Sequence, residues 1–379
     1  MLPKALEGTR VLDLTHAHAG PICTMYLGAM GAEVIKIEPP WGEMTRFFPP
    51  LVKGVSPYFM FVDRCKKGVT LDLKNPRGKE MFKEMVKKAD VVMENFSPGT
   101  MDRLGLGWET LRVLNPGIIF ASISGFGQTG PWRDRRSFDP IAQATSGYMY
   151  LMQDAIDPDG PPYQAPDAIA DTIPGLNCLV GILAALHHRG ETGRGQRVDV
   201  AQMDAMIASM QSFSFKTLAG LTFKKAGRRS GMVRVSGLHR AKDGYLMLSL
   251  PAGRITEWFK ELLGVEELSL ESVEEWIAER TVDEVVETLT ETGVPVGAVR
   301  DLDQVMDCQH AQAREMFINV NHPTLGETLL PGFPIKFSET PGDNKSPAPL
   351  LGQHNVRVYG ELLGITEEEV QRLKTEGVI

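Results

Sequence analysis

An aspartate, Asp171, stands in a stretch that reads APDAIADTIPGLNCLVGILAALHHRGETGRGQR, from Ala165 to Arg197. The residues that follow it, to His188, are almost all Leu, Ile, Val, Ala, Gly, Asn or Cys, and a basic, glycine-rich turn closes the run. A carboxylate at the head of an apolar helix can do one of two things. It can cap the helix, because aspartate is among the preferred N-cap residues. It can also be a nucleophile. With an ordinary pKa of about 3.9 it is ionised at pH 7. The helix dipole and the free N–H groups of the first turn favour that charge. Unlike serine, it then needs no partner base.

The elements that must position it follow from the spacing of apolar residues. Ile173, Leu176, Val180, Leu183 and His187 recur at helical intervals, and Leu179 and Ile182 make the other side apolar as well. The pattern predicts a core helix over Thr172 to His188, buried on most of its surface. At about 17 residues it falls short of a membrane span. Asp171 takes the N-cap position, and Pro174 falls in the first turn, where its missing N–H goes unnoticed. Ahead of this helix, Arg10–Thr15, Glu33–Ile37, Val69–Leu73, Val91–Glu94 and Ile118–Ile123 read as buried strands. Helical stretches over Ile22–Met30 and Pro76–Ala89 lie between them, and a last strand covers Gln196–Val200. Strands alternating with helices predict a parallel sheet. Ligands of such sheets bind at the carboxyl ends of the strands. Three loops fall there: 15–21, 94–99 and the glycine-rich 124–139. A nucleotide-dependent oxidoreductase has the same layout, but no GxGxxG follows the first strand.

Further along, Ala201–Ser214 and Leu302–Phe317 read as helices, 222–234 as a basic loop, and Pro323–Phe337 as β-structure. A hairpin is expected around Asp243-Gly244, then acidic helices to Glu287. A short strand at Val296–Val299, a Pro/Gly-rich linker and two closing helices, Asn355–Leu363 and Glu367–Lys374, complete the chain. The expected domains are a large α/β domain over 1–220, a linker over 221–235, a small domain over 236–335, and a returning linker with C-terminal helices over 336–379. A net charge of −8 argues against a general nucleic-acid or membrane-surface binder. Basic residues are nevertheless clustered at Arg64–Lys67, Arg133–Arg136 and Lys224–Arg229, as a solvated face or an anionic ligand would require. Cys23, Cys65, Cys178 and Cys308 are too far apart for a zinc ribbon or a redox pair. No metal site is expected. The start, MLPKALEG, has no apolar signal core, so a cytoplasmic protein is expected.

Several stretches taken together resemble the class III CoA-transferase family, which also contains the α-methylacyl-CoA racemases. They are RVLDLTHAHAGP (10–21), GAEVIKIEPPWGEMTR (31–46), VTLDLKNPRGK (69–79), ADVVMENFSPGTMDRLGLGW (89–108), SISGFGQTGP (122–131), GILAALHHRGETGRGQRVDV (181–200) and APLLGQHNVRVYGELLG (348–364). The resemblance implies a Rossmann-like large domain, a small α+β domain and an interlocked homodimer. It implies that Asp171 attacks an acyl-CoA thioester, that an aspartyl anhydride and then an aspartyl-CoA thioester form, and that a small carboxylic acid accepts the CoA. Coenzyme A is then a substrate, and no permanent cofactor is needed. Carried over by position, the CoA contacts are His18, Ala19, Leu71, Lys74, Asn95, Phe96, Arg103, Leu104 and Arg136. His18, in place of a glutamine of the oxalate branch, and Asp139, a helper carboxylate, join Asp171 at the catalytic centre. Without the resemblance, Asp139 reads as a helix cap before Pro140, Arg103 as a solvated helix residue and Lys74 as a strand-end lysine.

Three departures argue against oxalate and formate as substrates: His18, Pro39 in place of a CoA-binding arginine, and the lack of a tetraglycine loop. Where the racemases carry a histidine that moves a proton, this chain has Phe138. Transfer is therefore the first expectation. A racemase using His16 or His18, or a catalytically inactive CoA-binding homologue, is the alternative. Tyr148, Met149, Tyr150 and Met152 line an acyl pocket or belong to the core.

Overall fold

The computed structural model describes residues 4–157, 159–220, 235–250 and 253–379. The basic group Lys224, Lys225, Arg228 and Arg229, and all of the expected 221–235 linker except Val235, lie outside the described residues. Packing divides the chain into two compact units. One comprises Met1–Tyr148, Ala165–Gln211 and Ala313–Ile379, and the other Met149–Gln164 and Ser212–Gln312.

The first unit is built on a six-stranded sheet. Its strands are β1 (Arg10–Asp13), β2 (Glu33–Glu38), β3 (Lys66–Thr70), β4 (Val91–Glu94), β5 (Ile119–Ser124) and β6 (Arg197–Ala201). The order is β3-β2-β1-β4-β5-β6, and every neighbouring pair is parallel. The direction of winding reverses between β1 and β4, which opens a crevice beyond their carboxyl ends. Alternate residues feed the two faces. Val11, Val34, Val91 and Ile119 pack with Cys23 and Leu27 of the first helix, Ala19–Ala29, and with Cys178 and Ile182 of the central helix. Leu12, Ile35 and Val92 pack on the other face with Phe82 and Met85, and with Tyr359 and Leu362 of the tail helix, Asn355–Leu363. That tail also satisfies the edge of the sheet. Asn355 Oδ1 accepts from Thr70 N–H at 2.9 Å, His354 Nδ1 accepts from Gly68 N–H at 3.0 Å, and Tyr359 Oη donates to the Thr70 carbonyl at 2.6 Å. An open strand edge is thereby closed by side chains.

The central helix differs from its sequence pattern in three ways. It runs over Ile169–Thr192, 24 residues, and ends at left-handed Gly193. By length and composition it could cross a membrane, yet it packs against the first helix, β5 and β6. Pro174 is its sixth residue, so one bond of the helical ladder, to the Ala170 carbonyl, is not made. The buried stripe is Ala170, Asp171, Pro174, Gly175, Cys178, Leu179, Ile182 and Ala185, while Val180 is 65% exposed. Close helix approach selects small residues here. A Cβ on Gly175 would lie 2.4 Å from Ile22 Cγ2 and 2.6 Å from the Ala19 carbonyl oxygen.

Elsewhere in the same unit, Gln202–Ser209 forms a helix after β6, shorter than the one expected over Ala201–Ser214. At the end of the second unit, in place of one helix over Leu302–Phe317, there are two short ones, Leu302–Met306 and Gln309–Ala313, and Phe317, back in the first unit, begins a strand. That strand, Phe317–His322, pairs antiparallel with Gly326–Pro331. This hairpin packs with the first unit, and residues 149–164 pack with the second.

The second unit has a three-stranded antiparallel sheet of Gly237–Arg240, Tyr245–Leu248 and Val296–Ala298. Three helices, Arg254–Leu263, Leu270–Ala278 and Val282–Glu291, bury Phe259, Ile277 and Leu289 against it. Capping boxes start the latter two: Ser269 with Ser272, and Thr281 with Glu284. No residue of the helix Tyr148–Ile156 is fully buried: Tyr150 is 64% exposed, while Tyr148, half-buried, packs against Ala142, Ala170 and Met206.

Candidate active site

Asp171 is not the N-cap of its helix. That position falls to Ala168, which has no capping side chain, and Asp171 is the third helical residue. The cap comes from another segment. Asp139, the first residue of the helix Asp139–Thr145, turns Oδ1 to the backbone N–H of Ala170 at 2.6 Å. Its Oδ2 accepts from Gln143 Nε2 at 2.6 Å, and Gln143 Oε1 accepts from the Ala165 N–H at 2.9 Å. One carboxylate thus fastens the glycine-rich segment to the start of the central helix and fills the acceptor position that Ala168 leaves empty. Burial raises the Asp139 carboxyl above its ordinary range, while Gln143 and the N–H groups of Ala170 and Asp171 pull it back.

Asp171 is 7% exposed. Burial, then the neighbouring Asp139 carboxylate, push its carboxyl up to about 7, against the hydrogen bond that Gln202 Nε2 donates to Oδ1. The expectation of a fully ionised group with a pKa near the model-peptide value is therefore corrected. Water is largely removed and a like charge stands close, so the charged form is disfavoured. Gln202, which opens the helix after β6 and is itself buried, is not singled out by sequence patterning.

His18 sits at the N-terminus of the first helix, nearly inaccessible, with Nε2 at 3.0 Å from Thr172 Oγ1. Its Nδ1 has no hydrogen-bond partner among the described residues. Burial holds its pKa down at about 4, although Asp167 and Asp63 act in the other direction, so the ring is neutral at pH 7. His16 is likewise lowered to about 4 by burial, then by Lys36. Tyr58 meets the His18 ring edge-on at 5.8 Å, and burial and the Asp171 charge both raise its phenol.

Two adjoining cavities open in the crevice. The first, about 360 Å³, is lined by His18, Ala19, Asn95, Phe96, Arg136, Phe138, Asp171 and Gln202, among others. The second, about 400 Å³, is lined by Leu71, Lys74, Leu104, Trp41 and Phe96, and His16, Phe96 and Thr100 belong to both. Of the nine expected CoA-contact residues, Arg103 alone lines neither cavity; its guanidinium donates to Thr100 Oγ1 at 2.8 Å. Both polar atoms of the Asn95 amide are already engaged. Oδ1 accepts from the His16 N–H at 2.9 Å and Nδ2 donates to the His16 carbonyl at 2.7 Å, which ties the β1 and β4 loops together.

Beneath the 15–21 loop lies a charge network that sequence patterning does not reveal. Lys66 Nζ reaches Asp13 Oδ2 at 3.0 Å and Asp63 Oδ1 at 2.7 Å, and Lys36 Nζ reaches Asp63 Oδ1 at 3.1 Å. All four side chains are fully buried. The two lysines also hold the loop by its ends, donating to the Thr15 carbonyl at 2.9 Å and the Pro21 carbonyl at 3.1 Å. Arg64 is buried as well, so the Arg64–Lys67 group is neither a solvated face nor free for an anionic ligand. The signal was a lysine inside strands otherwise apolar on both faces, a place where charge must be paired. Among the described residues, no three His, Cys, Asp or Glu side chains are grouped to hold a metal ion.

This geometry can be set beside known proteins. The model of CoA-transferase family III matches residues 6–355. The chain is 36% identical to a formyl-CoA:oxalate CoA-transferase of Streptomyces avermitilis, over the whole of both chains. It is 33% identical to a succinyl-CoA–D-citramalate CoA-transferase of Chloroflexus aurantiacus, covering 100% of this chain and 98% of that one. It is also 33% identical to a succinyl-CoA:glutarate CoA-transferase of Mus musculus, with 99% and 90% covered. Among solved structures, a CAIB/BAIF family protein from Brucella suis superposes with a TM-score of 0.83 at 30% identity, covering 95% of this chain and 99% of that one. A match of this extent, in sequence and in fold, makes the chain a member of CoA-transferase family III.

Proposed function

We propose that the protein moves CoA from an acyl-CoA thioester to a second carboxylic acid, with Asp171 as the covalent carrier. The observation that carries this reading is a poorly solvated carboxylate in the wall of a cavity at the carboxyl ends of the sheet. The Asp171 carboxylate adds to the thioester carbonyl, the C–S bond breaks, and CoA leaves as thiolate. The thiolate adds to the Asp171 carbonyl carbon, the anhydride C–O bond breaks, and the donor acid departs. The acceptor carboxylate repeats both exchanges in reverse and leaves as the new acyl-CoA. Each step swaps one activated acyl link for another, so no ATP or metal is required.

Desolvation makes Asp171 more basic and a stronger nucleophile than a solvated carboxylate. The two cavities in succession suit a long ligand. His18, Ala19, Asn95, Phe96 and Arg136 would meet the pantetheine arm and diphosphate, and Leu71, Lys74 and Leu104 the adenosine end. Lys74 and Arg136, which line the cavities, supply charge for phosphates. Asp139 acts on Asp171 by capping its helix. The acids named in the relatives, oxalate, D-citramalate and glutarate, are dicarboxylic, so dicarboxylic acids are the acceptors to test first. The uncovered Val180 face of the central helix supports an interlocked homodimer.

Racemisation is disfavoured by two observations. Phe138 cannot move a proton, and His16 and His18, each held at about pKa 4, are weak bases at pH 7. The test is peptide mass after mixing with an acyl-CoA panel and quenching with hydroxylamine. A hydroxamate on Asp171, absent from Asp171→Ala, is expected. Exchange of the α-proton into deuterated water with no adduct would instead establish the racemase, and CoA binding with neither signal an inactive homologue.

A further inference from the structure

Asp171 attacks once and is attacked once. In the reaction proposed above, on which this inference rests, its carboxyl carbon becomes the electrophile as soon as the anhydride has formed. When CoA thiolate adds there, the carbonyl π pair moves onto the Asp171 oxygen that is not part of the anhydride link. When the tetrahedral adduct collapses, the pair returns, the anhydride C–O bond breaks and the donor carboxylate leaves. The same charge appears when an acceptor carboxylate adds to the aspartyl-CoA thioester and thiolate leaves. The oxygen that carries it needs a donor already in place.

Gln202 Nε2 donates to Asp171 Oδ1, and no side chain among the described residues donates to Oδ2. Gln202 is 5% exposed and lines the catalytic cavity. Its backbone is fixed from two sides. Ala201 pairs with Ser124 at the end of β5, and the Met203 N–H donates to the Gly125 carbonyl at 3.1 Å. We propose that Gln202 is a catalytic residue, the oxyanion donor for those steps in which the carboxyl carbon of Asp171 is attacked, with Oδ2 left to form the anhydride bond to the acyl group and to leave with the donor acid when the carboxyl carbon takes the sulfur. The resting carboxylate shares its charge over two oxygens, whereas the tetrahedral adduct concentrates it on Oδ1. The bond therefore strengthens towards the transition state, which is the condition for lowering a barrier.

Gln202→Met preserves size and removes the donor. CoA attached to Asp171, followed by rapid quench and intact mass after mixing with an acyl-CoA, is expected to appear about 10²–10³-fold more slowly. Thiol release in the presence of hydroxylamine needs only the first addition, because hydroxylamine opens the anhydride before the thiolate can return, and it should slow by about fivefold or less. A second variant, Gln202→Glu, restores a donor only when the pair holds a shared proton. Its activity should fall with rising pH where that of the wild type rises; Asp139 and Tyr58 beside Asp171, and His16, His18, Arg135 and Arg136 in the cavity wall, are common to both proteins. An adduct formed at the wild-type rate in Gln202→Met, or an equal loss in both assays, overturns the proposal and leaves the covalent reading intact. A wild-type protein that forms no Asp171 adduct overturns both.

Discussion

Two buried aspartates at the same end of one sheet behave in opposite ways. Asp13 is wholly inaccessible and Asp171 nearly so. Burial alone would raise both carboxyls. At Asp13, Lys66 and Lys36, aided by the hydroxyls of Thr15 and Thr24, override it and hold the group at about 2. At Asp171 no cation among the described residues balances the charge, Asp139 adds a like one, and the group is pushed up to about 7. Depth does not decide the state of a carboxylate; its partners do. The first aspartate is neutralised and serves the architecture. The second is left under-compensated, as the covalent role proposed for it would require.

The contrast can be broken from either side. Lys66→Met leaves Asp13 and Asp63 with one lysine between them. Stripping a partner from a buried ionic group costs about 3–5 kcal/mol, and urea unfolding should show a loss of that size. A similar change at the exposed Lys83–Glu80 pair should cost about 0.5 kcal/mol or less. The Asp13 pKa is depressed in the folded state, so its contribution is present above pH 3.8 and lost as the pH falls through about 2.

Asp171→Asn should do the reverse. The folded pKa of Asp171 is raised, so its proton stabilises the fold fully below pH 3.8 and that stabilisation is lost as the pH rises through about 7. The Asn variant should therefore match the wild type near pH 4 and exceed it by about 4 kcal/mol at pH 8. A variant less stable than the wild type at pH 8 would contradict the account of Asp171 as a strained charge. The smallest effect is expected from Asp139→Asn, which keeps an acceptor for the Ala170 N–H and removes the like charge. The acid limb of kcat/KM should then move to lower pH by about one unit or less, as a pH–rate profile would show.

Much of this was legible in the chain. Val91–Glu94 and Asn355–Leu363 have the bounds that their apolar spacing predicts. Asp171, Asp139 and His18, far apart in sequence, face one cavity or brace it. What spacing could not convey was which partner each group finds. Asp13, Lys36, Asp63 and Lys66 meet because β3, β2 and β1 are neighbours, a matter of sheet order rather than local pattern. Spacing finds Leu179 and Ile182 on the buried face of the central helix but also places Val180 there, because hydrophobic strength marks large residues, while close packing against the first helix calls for small ones. Local pattern makes Asp171 the cap, whereas Asp139 supplies the cap from another segment. Gln202 gave one clue, its place at the carboxyl end of a strand.

Asn95 joins two loops by a pair of bonds to a single residue, His16, across the point where the sheet reverses its winding. A joint made twice resists rotation. The seat at the base of both cavities is therefore cut before any guest arrives, and little of the guest's affinity is spent on ordering it. The tightness of the fit is inherited from the scaffold, while the choice of guest is left to the walls.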